Sequence, residues 1–153
     1  GGQSMAGKSE RAPPPGREAF AVFVALTTRW RDNDAYGHLN NVVYYELFDA
    51  AVNQLLVARG LLDPATSPVI GLVVESQCRF FSSLAFPDAL EVGVAVEALG
   101  GASVTYRLAV FKAGAEWAAA EGRYTHVYVE RENNRATRIP EGHRAAMAQW
   151  RVT

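Results

Sequence analysis

Between Asp32 and Asn41 the chain reads Asp32-Asn33-Asp34-Ala35-Tyr36-Gly37-His38-Leu39-Asn40-Asn41, which brings together two carboxylates, a glycine, a histidine and two adjacent asparagines. A carboxylate on a constrained loop can attack an electrophile or activate a water molecule. The N–H groups at the start of a helix can stabilise an oxyanion as it develops. Both groups are on offer here, because the polar stretch runs directly into the longest apolar segment of the chain. Trp30 to Gly60 is therefore the part around which the rest is organised.

The apolar segment, Val42 to Arg59, has Glu46, Asp49, Asn53 and Gln54 as its polar residues. The first three fall at i, i+3 and i+7, a narrow stripe on a helix otherwise apolar most of the way round, which is the pattern of a helix surrounded by protein. Asn40 or Asn41 can cap its start and Gly60 suits its end. Eighteen residues give a rod of roughly 27 Å. Ahead of it, Phe20 to Thr28 is rich in β-formers. After it, Val69 to Phe81 is a candidate strand of mixed pattern. Asp88 to Leu99 and Ala102 to Lys112 alternate apolar and polar residues around a Gly100-Gly101 turn. Beyond a turn at Gly114, Glu116 to Glu130 reads as a long last strand, and Pro140 to Trp150 as a short helix starting at its proline. Short connections among the later strands require an antiparallel sheet. The expected architecture is α+β, an antiparallel sheet wrapped around one long central helix. A single sheet cannot cover such a helix completely, so a second subunit is expected to complete the cover.

With 153 residues the chain is the size of one domain. Gly1 to Ser4, ahead of Met5, read as an expression remnant, and residues 1–18 with Pro13-Pro14-Pro15-Gly16 as a disordered or extended tail. Residues 19–153 form the single domain. A net charge of −1 offers no electrostatic argument for nucleic acid or an acidic membrane. The lone Cys78 cannot form an intrachain disulfide, and no apolar run approaches the ~20 residues of a membrane helix. The expectation is a cytoplasmic protein. Neither a Cys/His cluster for a metal nor a phosphate-cradling glycine motif is present, and no cofactor is expected.

The run from Asp32 to Tyr44 resembles the hot-dog fold acyl-CoA thioesterases of the 4-hydroxybenzoyl-CoA thioesterase-like branch, with their Asp-x-Asp-x-x-Gly-His-x-Asn-Asn-x-x-Tyr pattern. Arg79-Phe80 through Phe86-Pro87-Asp88 is similar to the family's strand and Gly-Asp turn, with Pro87 in place of the glycine, and Ile139-Pro140 to its Ile-Pro before the last helix. The resemblance covers about residues 20 to 148. It implies a hot-dog fold and hydrolysis of acyl-CoA, or of an acyl-carrier-protein thioester, by a homodimer or homotetramer with its sites at subunit interfaces. It places the nucleophile or general base on Asp34 and the backbone amide that polarises the thioester carbonyl on Asn41. It also implies substrate contacts from Tyr36, Gly37, His38, Asn40 and Tyr44. A leaving thiolate with a pKa of roughly 8.5, by analogy with cysteine, needs little help from a general acid. One aspartate and a helix terminus are then chemically sufficient.

Other roles are open to these residues. Asp34 could bond only local amides, and Asp32, which would share a side with Asp34 in an extended segment, is read as structural. His38 could assist water or be a fixed core histidine. The asparagines act most economically as helix caps. Glu46, in the helix stripe, is a reserve base. The stretch Leu99-Gly100-Gly101-Ala102 lacks the basic cluster with which some relatives hold CoA, leaving Arg79, Arg107, Lys112 and Arg123 for that task. A hot-dog hydratase or dehydratase is a second reading, disfavoured because Asp34 and His38 are separated by three residues where that branch has four. A non-catalytic acyl-thioester binding protein is the third.

Overall fold

The computed structural model describes residues 12–152. Five strands, β1 (Val22–Thr27), β2 (Val69–Phe80), β3 (Ala89–Leu99), β4 (Ser103–Lys112) and β5 (Ala120–Glu130), accompany two helices, α1 (Asn41–Ala58) and α2 (Glu141–Gln149). They form one sheet in the order β1-β3-β4-β5-β2, antiparallel throughout, so that β1 and β2 are its edges. This is the expected hot-dog arrangement, with α1 on the concave face.

Helix α1 buries Val43, Tyr44, Leu47, Phe48, Ala51 and Val52, among others, against inward-facing residues such as Val92, Val94, Leu108 and Val110. Burial of a side chain the size of Phe48 contributes about 2–3 kcal/mol. The closest approach is at Gly122: a Cβ there would lie 2.1 Å from the Gln77 carbonyl and 2.6 Å from the Phe48 ring. The helix is therefore seated on a notch that only glycine leaves open. The opposite face of α1, including Val42, Tyr45 and Val57, is exposed. So are Leu72, Val73 and Val74 on β2, whose outer edge is unpaired among the described residues.

Under the middle of α1 a polar cluster crosses the core. The Tyr124 hydroxyl donates to Asp49 Oδ1, so its oxygen accepts from His126 Nε2, 3.1 Å away. That fixes the proton on Nε2 and leaves Nδ1 bare, buried and without a hydrogen bond. Gly71 packs against this nitrogen, where a Cβ would lie 2.8 Å away. Burial pushes the His126 imidazole down to about 4, which keeps it neutral.

Two boundaries differ from the sequence reading by more than one residue. The last strand starts at Ala120 rather than Glu116, because the Ala118 amide donates to Pro15 and not to a strand neighbour. The first strand starts at Val22, because Phe20 belongs to a second apolar cluster with Ala95, Ala109 and Phe111 on the convex face. Of the expected tail, residues 1–11 lie outside the described residues. Residues 12–18 run along that convex face: Gly16 bridges Trp117, and Arg17 donates to the Ala115 carbonyl at 2.7 Å and to Glu91 at 2.8 Å while its guanidinium covers Phe111. The segment has only Ala12 and three prolines as apolar residues, and the Arg17 cation ties it to the sheet.

Candidate active site

The loop between β1 and α1 is closed by its own backbone. Asn40 N donates to Asp32 O at 2.8 Å, Asp34 N to His38 O at 2.8 Å, and Gly37 N to Asp34 O at 3.1 Å. That last turn needs the positive φ of 81° that Gly37 adopts. Two further bonds fasten the loop to the connection between β2 and β3: Leu39 N donates to Leu84 O, and Asn33 Oδ1 accepts from Phe86 N.

Asp34 Oδ1 accepts from Tyr36 N at 2.9 Å and His38 N at 3.3 Å. One oxygen thus fixes the side chain, and Oδ2 makes no hydrogen bond among the described residues. Asn40 is the N-cap, its Oδ1 accepting from Val42 N at 3.2 Å. Asn41 is the first helical residue, and its N–H has no hydrogen-bond partner among the described residues. An unpaired donor at the positive end of an 18-residue helix favours an anion or a developing negative charge.

Asp34 and Asn41 line one cavity of about 280 Å³, together with His38, Leu39 and Tyr44. Phe80, Phe81, Ser82 and Ser83 form its other wall. Tyr44 stands edge-on to Phe80, ring centroids 5.0 Å apart, and burial pushes its phenol up to about 12, so it is a neutral wall. Cys78 packs beside the same core, its thiol pushed up to about 12 by burial and therefore unreactive as a thiolate. Among the described residues no group of three or more His, Cys, Asp or Glu could hold a metal.

Of the residues singled out in the sequence, Asp34, His38, Asn41 and Tyr44 meet at the cavity. Tyr36, Gly37 and Asn40 do not line it: Tyr36 is 86% exposed at the loop tip, Gly37 makes the turn and Asn40 caps the helix. The His38 ring is solvent-exposed and makes no hydrogen bond among the described residues, so it is no fixed core histidine. Asp32 does not share a side with Asp34, because Trp30–Asp32 is a 3-10 turn and not an extended segment. Its carboxylate is buried and paired with Arg29. Glu46 lies outside the cavity, 2.9 Å from the same arginine. Arg107, Lys112 and Arg123 pair with Glu121, Asp88 and Glu97, whereas Arg79 makes no ion pair among the described residues.

Ser82 and Ser83 were not legible in the sequence as site residues. Both are exposed at the cavity wall, and neither hydroxyl makes a hydrogen bond among the described residues. No local pattern marks them. They reach the site because Phe81 and Ser82 both donate backbone N–H groups to Ala119, which turns the chain after β2 toward Asp34.

The family model of the thioesterase-like superfamily matches residues 28–149. The PA5185 protein of Pseudomonas aeruginosa is 48% identical, with a TM-score of 0.90 over 92% of this chain and 99% of its own. Two more distant structures share the fold. A 1,4-dihydroxy-2-naphthoyl-CoA thioesterase from Synechocystis is 14% identical, with a TM-score of 0.74 over 82% of this chain and 94% of its own. A gentisyl-coenzyme A thioesterase is 22% identical, with a TM-score of 0.71 over 82% and 99%. No curated protein matches. The loop, the helix start and the cavity between them lie inside the matched span, and the chain belongs to the thioesterase-like superfamily.

Proposed function

We propose that the protein hydrolyses an acyl-CoA thioester to the free acid and CoA, with Asp34 as nucleophile or general base and the Asn41 amide as oxyanion donor. The observation that carries this reading is the pairing, in one cavity, of a carboxylate with a free oxygen and a helix N-terminal amide with no partner. The family supports thioesterase-type hydrolysis. The two distant structures are themselves CoA thioesterases, which favours CoA over a carrier protein as the thiol. Substrate contacts fall to Tyr44 and His38 at the cavity.

The chemistry balances without a cofactor. On the general-base route Asp34 takes a proton from water and hydroxide adds to the carbonyl carbon. The resulting oxyanion is held by the Asn41 N–H. Collapse breaks the C–S bond, and the thiolate leaves and takes up the proton. On the nucleophilic route Asp34 adds directly, the thiolate leaves an anhydride, and water cleaves it. Single turnover in ¹⁸O-water separates them, because only the anhydride route can leave label in Asp34.

A second copy of the chain, in a homodimer or homotetramer, is proposed to cover the free edge of β2 and the exposed face of α1. Val74 is 60% exposed on that edge, and long apolar edge strands are ordinarily covered.

The test is thiol release from short, long, branched and aromatic acyl-CoAs by wild type and Asp34→Asn. Loss of turnover in the variant is expected. Equal turnover by both proteins would sink the mechanism, and tight binding with no turnover on any substrate would favour a non-catalytic acyl-thioester binding protein.

A further inference from the structure

The Asp34 loop is fastened to α1 by more than its own backbone. Asp32 is 2% exposed, and both of its oxygens are taken by one residue. Oδ2 accepts from Arg29 N at 2.7 Å, and Oδ1 accepts from Arg29 Nε at 3.0 Å with Nη2 at 2.8 Å. The same Nη2 donates to Glu46 Oε2 at 2.9 Å, in the second turn of the helix. Meanwhile the Asp32 carbonyl accepts from Asn40 N, the residue that caps that helix. The base of the loop is therefore tied to α1 twice, once through the backbone and once through a guanidinium fork.

Resting on the assignment of Asp34 and the Asn41 amide, we propose that Arg29 is a positioning residue that fixes the Asp34 carboxylate relative to the start of α1. Two features set it apart from a cation that only neutralises a buried acid. It grips Asp32 Oδ1 with Nε and Nη2 together while Nη2 also reaches Glu46 on another element, a planar arrangement that a single ammonium cannot reproduce. It also pairs with Asp32, leaving Asp34 as the acid of the loop without a cation among the described residues. A displacement of about 1 Å between catalytic groups can cost about 100-fold in rate, so a fork of this kind has consequences for turnover beyond those for folding.

The experiment measures kcat and KM on an acyl-CoA that the wild type turns over, for Arg29→Gln, Arg29→Lys and Glu46→Ala. Backbone amide exchange is followed in parallel. Arg29→Gln is expected to lower kcat by about 10- to 100-fold with KM little changed. Arg29→Lys keeps the charge and the fold and still loses about tenfold, because one flexible ammonium cannot replace the paired Nε and Nη2 bonds to Asp32 while reaching Glu46. Glu46→Ala, an exposed change that leaves the Asp32 pair intact, loses a few-fold. In both Arg29 variants the Asn40 and His38 amides exchange at least about tenfold faster while strand amides do not change. Wild-type kcat in Arg29→Lys, or unchanged exchange at Asn40 in Arg29→Gln, would overturn the proposal. If Arg29→Gln does not fold, Arg29→Lys and Glu46→Ala carry both readouts. If the wild type hydrolyses no thioester, the proposed function fails while the exchange measurement still decides whether Arg29 fixes the loop.

Discussion

At its first turn helix α1 meets Asp34 beside a free amide on the wall of a cavity; two turns further along it meets Tyr124 and His126 inside the core. Both places put an aspartate next to aromatic and imidazole groups, so residue types alone do not separate them. What separates them is whether an unpaired donor stands beside the carboxylate. At the helix start, Asp34 keeps one oxygen and Asn41 keeps its N–H, and both face open space. In the middle of the helix, Asp49 Oδ1 accepts from the Tyr124 hydroxyl, whose oxygen accepts from His126 Nε2, and Gly71 packs against the remaining nitrogen; Asp49 is exposed and keeps Oδ2, but the donors it touches are already spent on it. The first arrangement can accept a substrate. The second offers no free amide beside its carboxylate, and its hydrogen bonds hold the helix to the sheet.

The largest effect expected from breaking this contrast is Asp34→Asn. Turnover should fall by about 10² to 10⁴, the range for loss of a general base or nucleophile, while the melting temperature stays close to wild type. Activity and thermal denaturation measured on the same preparation check both halves. At the other place the expected signature is in stability against pH. His126 titrates near 6.5 when unfolded and near 4 when folded, so between those values only the unfolded chain carries the proton. Its contribution is complete above pH 6.5 and is lost as pH falls toward 4, by about 3 kcal/mol in all. Denaturant melts across that window should show a smaller loss in His126→Gln than in wild type, though the variant is less stable throughout.

Smaller still is Tyr124→Phe, which removes the hydroxyl between Asp49 and His126 and should cost about 1–2 kcal/mol. Turnover by the folded protein should be unchanged; a kcat drop matching that of Asp34→Asn would erase the contrast. Smallest is Ser82→Ala, expected to change kcat/KM only a few-fold, which steady-state kinetics on the best acyl-CoA would register.

Much of the fold was legible because it is written in periodicity. The apolar run from Val42 and the alternation of Leu90, Val92 and Val94 each bury the face they imply. Asp34 and Asn41 were legible because loop and helix are contiguous in the chain. What was not legible depends on contacts between distant residues. Arg17 reaches Ala115 across 98 positions to hold the N-terminal segment, and no local pattern announces that. Ser82 and Ser83 enter the site through a turn made against Ala119. The expectation that Asp32 lies beside Asp34 assumed an extended backbone, and the turn at Trp30–Asp32 directs it to Arg29 instead.

The central claim, that a backbone amide rather than a side chain stabilises the oxyanion, can be tested by removing that one atom. Asn41 is the first helical residue, and Asn40 before it has φ −60° and ψ 138°, a backbone that accepts a following proline. Asn41→Pro should therefore keep the helix and delete the donor, whereas Asn41→Ala deletes the side chain and keeps the N–H. Both variants should melt like the wild type, with near-wild-type kcat for Asn41→Ala and a loss of about 10² to 10³ for Asn41→Pro. Full turnover by a folded Asn41→Pro protein would contradict the claim.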